Sequence, residues 1–245
     1  MQHFFVTPEQ VGDKEIIIQG SDVNHMKNVL RMKLGEMVEI NDGNNCKYIG
    51  KIIAMNETEI CVSIVEELQS DTELRSKIYL FQSLPKADKM ELIVQKAVEL
   101  GAVEIIPVIT QRTVVKLDDK KKVKKVERWN SIATSAAKQS ARGVIPTVSA
   151  VSTWKQALAY AQQMDHVLVP YELAQGMEET RNILRNIKPG ESIAIFIGPE
   201  GGFDKNEIQS VEQLGMKPIT LGKRILRTET AGLATLAMLI YQLDE

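Results

Sequence analysis

A chain of 245 residues, 44% apolar and 25% charged, has the length and composition of one large globular domain or of a medium one joined to a small one. Its formal net charge of −2 argues against a general nucleic-acid binder, and no run approaches the roughly 20 apolar residues that a membrane span needs. Cys46 and Cys61 are the only cysteines, with no CxxC and no His/Cys cluster, which predicts two reduced structural thiols and no bound metal.

The N-terminal residues MQHFFVTPEQ lack the basic start and long apolar core of a signal peptide, so a cytoplasmic location is expected. The charge is unevenly spread. Residues 1–72 hold 6 Lys/Arg against 12 Asp/Glu, a net of −6, and residues 73–245 hold 24 against 20, a net of +4. Much of the positive charge lies in "KLDDKKKVKKVER", Lys116 to Arg128, which reads either as the solvated face of a helix or as an RNA-facing patch.

In chain order, "SDVNHMKNVLRMKLG" predicts a short helix, with Ser21 or Asp22 as cap and Val23, Met26 and Leu30 on one face. "EMVEIND" (36–42), "CKYIGKIIA" (46–54) and "EICVSIVEEL" (59–68) are strand-length runs separated by turn residues. If the last two form a hairpin turning near Asn56-Glu57, the two cysteines do not face each other. A small β-barrel with one helix fits residues 1–72. The stretch "SDTELRS" (70–76) is polar and weakly patterned, and the expected domain boundary falls there.

From residue 73 strands and helices alternate. "KIYLFQSL" (77–84) predicts a strand, and "KADKMELIVQKAVELG" a helix with Met90, Ile93, Val94, Ala97 and Val98 on its apolar side and Gly101 at its end. "VEIIPVI" (103–109), "HVLVPYE" (166–172), "SIAIFIG" (192–198) and "MKPITLG" (216–222) predict further strands. "KKVERWNSIATSAAKQS" and "TETAGLATLAMLIYQL" predict long helices. Such alternation implies an α/β fold, a mostly parallel sheet with helices on both faces.

Two of these strands run into glycine-bearing loops, "GPEGGF" (198–203) and "LGKRILRTETA" (221–231). In open α/β sheets ligands bind beyond the carboxyl ends of strands, so both loops are candidates for one pocket. The first lacks the lysine of a phosphate loop and the GxGxxG spacing of a dinucleotide fingerprint, and its Glu200 carboxylate would repel a phosphate. A nicotinamide oxidoreductase is disfavoured on the same ground. A ligand offering adenine, ribose or a sulfonium meets the remaining requirements. Taken alone, Gly201-Gly202 before Asp204 also reads as a plain strand-to-helix turn capped by Asp204. Thr228 or Thr230 is expected to cap the final helix, turning its positive dipole end toward the same pocket.

"IGPEGGF" followed by "LGKRILRTETAGLATL" resembles the RsmE family of SPOUT-class RNA methyltransferases. "LPKADKMELIVQKAVELGAVEIIPVITQRT", "ERWNSIATSAAKQSARGVIP" and "HMKNVLRMKLGE" resemble the family's other marked segments, so the likeness covers essentially the whole chain. Two positions depart from the family pattern. Gln2 and His3 stand where an arginine often precedes the aromatic pair Phe4-Phe5, and Thr113 stands where serine is common.

The resemblance implies a PUA-like, RNA-binding β-barrel over residues 1–72. It implies a SPOUT methyltransferase domain over 73–245, with a C-terminal trefoil knot. It also implies a homodimer and methylation of N3 of a uridine in small-subunit (16S) ribosomal RNA with S-adenosyl-L-methionine. On that basis the cofactor is assigned to Glu172, Ile197, Gly198, Pro199, Gly201, Gly202, Leu221, Gly222, Arg224, Ile225 and Leu226, mainly through backbone groups and apolar contact. Arg227 is expected to hold the uracil or stabilise its anion, and Glu200 or Glu229 to take the proton or orient the arginine. Arg31, Lys33, Lys86, Lys89, Arg112, Gln139 and Arg142 are the RNA-binding candidates. Lys86 and Lys89 stand at a helix start, an unfavourable end for cations, which points to a role beyond helix stability. His3, His25 and His166 fit no catalytic pattern and are read as structural. Two alternatives stay open, a SPOUT enzyme acting on another RNA or position and an RNA-binding protein without catalysis.

Overall fold

The computed structural model describes residues 1–174 and 176–244. The chain divides into two compact units, Met1–Glu73 with Ala137–Ile145, and Leu74–Ala136 with Pro146–Glu245.

The first unit is a curled five-stranded sheet of β1 (Gln2–Phe5), β2 (Glu15–Gln19), β3 (Met37–Asn41), β4 (Cys46–Met55) and β5 (Glu59–Gln69). The order is β1-β3-β4-β5-β2, with β1 parallel to β3 and the other pairs antiparallel. Alternate residues point inward, as a half-buried sheet requires, so Ile16, Ile18, Val38, Ile40, Ile60 and Val62 share one core. Helix α1 (Ser21–Asn24) continues as a π turn over His25–Val29, and Val23 and Met26 close the core. Neither expected side chain caps α1. Gly20 takes the cap position at φ 77°, and the Asp22 carboxylate is instead paired with Lys138 at 2.9 Å. Cys61 lies opposite Ala54 and Cys46 opposite Gln69, and both thiols are free.

Residues 137–145 join this sheet through a buried ion pair. Arg142 is 3% exposed, its Nε donates to Glu73 Oε1 at 3.1 Å, and its Nη2 pairs with Glu73 Oε2. The Gly143 amide donates to the same carboxylate at 3.0 Å, and the Asn41 amide donates to the Arg142 carbonyl at 3.1 Å. The assignment of Arg142 to RNA contact does not survive this burial, because its guanidinium is spent inside the unit.

In the second unit β6 (Lys77–Ser83), β7 (Ala102–Ile109), β8 (Thr147–Val148), β9 (Ser152–Thr153), β10 (His166–Pro170), β11 (Ser192–Ile197) and β12 (Pro218–Ile219) form one sheet. Its order is β12-β10-β11-β6-β7-β8, with β9 also on β7. Every pairing among the described residues is parallel. The run "MKPITLG" yields only the two residues of β12, which begin at a proline that has no amide for the ladder.

The helices are α2 (Lys89–Glu99), α3 (Asp119–Gln139), α4 (Trp154–Ala161), α5 (Met177–Asn186), α6 (Lys205–Gln213) and α7 (Thr228–Leu243). Phe81, Phe196 and Ala194 pack with Ala157, Leu158 and Ala161 of α4 and with Ile208 and Val211 of α6. The two phenylalanine rings stack at 4.4 Å. On the opposite face Leu80 and Ile197 lie against Gly232 of α7, which packs with α2. Helix α2 buries Met90, Ile93, Val94, Ala97 and Val98, the stripe its 3.6-residue spacing predicts. It ends at Gly101, which has φ 78°.

Candidate active site

The strand order sets β12, β10 and β11 side by side, so their carboxyl ends open on one place. A cavity of about 580 Å³ lies there, within the size range of small-molecule sites. Its wall consists of Pro170 at the end of β10 with Tyr171 and Glu172 after it, residues 197–203 from the end of β11 onward, and residues 220–228 from the end of β12 to the start of α7. Ala231 of α7 and Lys89 of α2 complete it. Every residue assigned above to a cofactor lies on this wall, as do Glu200 and Arg227. Glu229 is not among the wall residues, and its Oε2 is buried without a hydrogen-bond partner.

The first glycine loop closes on itself. The Gly202 amide donates to the Pro199 carbonyl at 2.9 Å, and Gly202 has φ 67°. A Cβ on Gly202 would stand 2.7 Å from Glu172 Oε1, and one on Gly198 would stand 3.3 Å from the Gly202 and Phe203 backbone. Only glycine allows this approach without displacing Glu172 or the loop itself.

The far side of the loop is pinned from β7. Arg112 Nη1 donates to the Gly201 carbonyl at 2.8 Å, and Nη2 stands 3.4 Å from Asp204. Asp204 caps α6, accepting from the Asn206 amide at 3.0 Å, and its own amide donates to Glu207. Glu207 also accepts from the Gln111 amide at 2.8 Å. Arg112, an RNA candidate in the sequence, is thus committed to shaping the loop. Thr113 keeps the hydroxyl of the serine common at its position, 2.9 Å from the Thr110 hydroxyl.

The N-cap of α7 is Arg227, not a threonine, and no side chain caps the helix. Thr228 is buried and turned elsewhere. Its hydroxyl donates to the Gly198 carbonyl at 2.6 Å and accepts from Gln82 Nε2 at 2.9 Å. This bond ties the second loop to the first. Thr228→Val should lower stability by about 1–3 kcal/mol, because it strands the half-buried Gly198 carbonyl and an N–H of the buried Gln82 amide. It should also weaken ligand binding at the loop. Urea melts check this, and an unchanged midpoint would count against the role.

Lys89 resolves the puzzle of a cation at a helix start. Its Nζ donates to Glu200 Oε1 at 3.0 Å and stands 3.5 Å from Glu229 Oε2. The Lys86 amide donates to the same Glu200 oxygen at 3.0 Å. For Glu200, burial pushes the carboxyl up, but hydrogen bonds from its own amide, Lys89 and the Lys86 amide outweigh it and hold it below the ordinary range. The Lys89 ammonium is raised, first by its hydrogen bond to Glu200 and then, against burial, by the charges of both carboxylates. The expectation that Glu200 repels a phosphate is weakened, since Lys89 neutralises it. No spacing in the sequence joins Lys89 to residues more than 100 positions away.

The free cations of the wall are Lys223, Arg224 and Arg227, which are exposed and form no ion pair among the described residues. The wall therefore combines close backbone approach, the apolar side chains of Ile197, Leu221, Ile225 and Leu226, a carboxylate at Glu172 and unpaired guanidinium groups. These fit a nucleoside carrying a cationic tail, with a second, electron-rich reactant facing the arginines.

Arg31, Lys33, Lys86 and Gln139 are exposed. In the basic run, Lys121, Lys122, Lys125 and Arg128 pair with Asp118, Asp119, Asp88 and Glu91. Much of that run is thus a solvated, ion-paired helix face.

The RNA methyltransferase domain family matches residues 72–240, and the RNA methyltransferase PUA domain matches residues 18–65. A parallel sheet with three loops around one cavity, together with a small curled sheet, thus defines a PUA-bearing RNA methyltransferase. Ribosomal RNA small subunit methyltransferase E of Bacillus subtilis is 36% identical over 250 residues, covering 100% of this chain and 98% of its own. The protein of that name from Mesomycoplasma hyopneumoniae is 34% identical over 242 residues, covering 98% and 99%. The crystal structure of the Neisseria gonorrhoeae protein of that name, bound to S-adenosyl methionine, superposes with a TM-score of 0.82 at 31% identity, covering 98% and 97%. The chain belongs to the ribosomal RNA small subunit methyltransferase E family.

Proposed function

We propose that this protein transfers a methyl group from S-adenosyl-L-methionine to N3 of one uridine in the 16S RNA of the small ribosomal subunit. The observation that carries the reading is the single cavity wall built from the loops after β10, β11 and β12, in a chain of this family. The wall residues from Glu172 to Leu226 named above hold the cofactor, chiefly through the backbone of the two glycine loops. The cofactor supplies a methyl carbon made electrophilic by a sulfonium. Arg227 holds the uracil and stabilises its imide anion as N3 loses its proton. Positioning of the two reactants contributes up to about 7–11 kcal/mol in favourable cases. Incubation of the protein with small-subunit RNA and labelled cofactor, followed by nucleoside mass spectrometry, tests this. A single 3-methyluridine is expected. Methylation at another atom or in another RNA would favour the second reading, a SPOUT enzyme with a different target.

Arg31, Lys33, Gln139 and Lys86 are proposed to contact RNA, the first three from the PUA unit. Binding should weaken linearly in log–log salt plots by roughly 0.7 per phosphate contact to single strands. Arg31→Ala with Lys33→Ala should flatten that slope by roughly twice this amount. A slope unchanged from the parent would remove both residues from the interface.

A homodimer belongs to the same reading. It is supported by α7, which is apolar on most sides, as helices buried in interfaces are, while Tyr241 is 93% exposed at its end. Sedimentation measures it directly. The trefoil knot implied by the resemblance is likewise proposed. No helix among the described residues is long and apolar enough to cross a membrane, and a cytoplasmic location is proposed with the rest.

A further inference from the structure

We propose, resting on the uracil-N3 reading above, that Lys89 is a catalytic residue that stabilises the uracil imide anion, and that Glu200 and Glu229 are the positioning residues that hold its ammonium at the cavity wall. An ammonium has three N–H donors. Glu200 takes one at 3.0 Å, and Glu229 Oε2 stands 3.5 Å away behind the wall. At least one donor is left for a carbonyl oxygen of the base, and Lys89 itself lines the cavity. Two carboxylates around one lysine also explain a cation at the first turn of α2, where the helix dipole disfavours it.

The same geometry makes both carboxylates poor bases. Glu200 Oε1 holds the Lys89 ammonium and the Lys86 amide, against burial hydrogen bonds keep the Glu200 carboxyl below its ordinary range, and Glu229 stands off the wall. The N3–H bond breaks and its proton passes to water. The N3 electron pair forms the bond to the methyl carbon, and the electron pair of the broken carbon–sulfur bond stays on sulfur. Lys89 and Arg227 lower the cost of the anion on which this depends.

The other titratable groups of the wall are Tyr171, Glu172, Lys223, Arg224 and Arg227. Next to Lys89 in sequence, Asp88 faces Lys125 of α3 at 3.8 Å. The Lys89 ammonium is held charged by its carboxylate partners, so it acts as a fixed cation while the imide titrates.

A cation beside an acid lowers the pH at which the acid ionises, by roughly one to three units at close range. Single-turnover methyl transfer by the full-length protein, measured against pH with small-subunit RNA, reads this out. Lys89→Met should displace the rising limb upward by about one unit or more, with the deficit largest at low pH and closing as pH rises. Lys89→Arg should restore the profile toward wild type. Glu229→Gln removes a counter-charge from Lys89, so its limb should move the opposite way, to lower pH. Cofactor affinity by calorimetry should change little in all three. A Lys89→Met deficit that is constant across pH, or lost cofactor binding in that variant, would overturn the proposal. So would abolition of transfer at every pH in Glu229→Gln, which would return the proton to that carboxylate. If the wild-type protein forms no 3-methyluridine, the functional reading fails instead, and the two failures are separable in one experiment.

Discussion

Arg227→Ala is expected to abolish methyl transfer while leaving cofactor binding nearly intact. Arg227 is the N-cap of α7, with ψ 155°. Its guanidinium lines the cavity without an ion pair among the described residues. A side chain with no structural partner can be removed with little effect on stability, typically within about 0.5 kcal/mol for an exposed site. Its loss would be felt in the reaction, where negative charge develops on the uracil. Removing one preorganised donor from such a site commonly slows turnover by about 10²–10³, and a formal cation in a partly enclosed cavity belongs at or above that range. Single-turnover rates and calorimetric titration with S-adenosyl-L-methionine measure the two effects separately. Near-wild-type turnover would sink the assignment.

Glu73→Ala should produce a large loss of stability in the first unit. It would leave the Arg142 guanidinium buried without the carboxylate that neutralises it, would take the Val144 amide's acceptor, and would leave the Gly143 amide only the Thr72 hydroxyl. Breaking a buried pair by deleting one member costs about 3–5 kcal/mol, a large share of the about 5–15 kcal/mol that holds a typical protein folded. Urea denaturation followed by circular dichroism should show the loss. Replacing both members with apolar residues, as in Glu73→Leu with Arg142→Met, should recover much of it. A loss below about 1 kcal/mol in the single variant would mean that the pair is dispensable.

The elements that repeat locally were open to reading along the chain. The stripe of α2, the hairpin of β4 and β5 and the strand entering "GPEGGF" depend on neighbours within a few residues, and periodicity reports such neighbours. The family likeness extended this to the cavity, whose assigned cofactor residues lie on one wall. Elements set by distant partners escaped. Strands β1, β2, β8 and β9 are too short or too weakly patterned to stand alone, and they exist because β3, β5 and β7 offer edges. Ser21 and Thr228 had the chemistry of caps, yet Gly20 and Arg227 occupy those positions.

Composition, periodicity and motif by themselves pointed to a two-part α/β chain with two candidate ligand loops and an arginine near them. Tertiary structure alone decided what each charged side chain does. Lys89 meets Glu200 across 111 positions, Arg112 meets Gly201 across 89, and Arg142 meets Glu73 across 69. All three arginines and lysines look alike in a sequence, as exposed cations suited to RNA. What separates them is how much water each has lost and which carboxylate or carbonyl replaced it. For Lys89 and Arg112 that depends on strand order, which brings loops from distant segments to the same end of the parallel sheet.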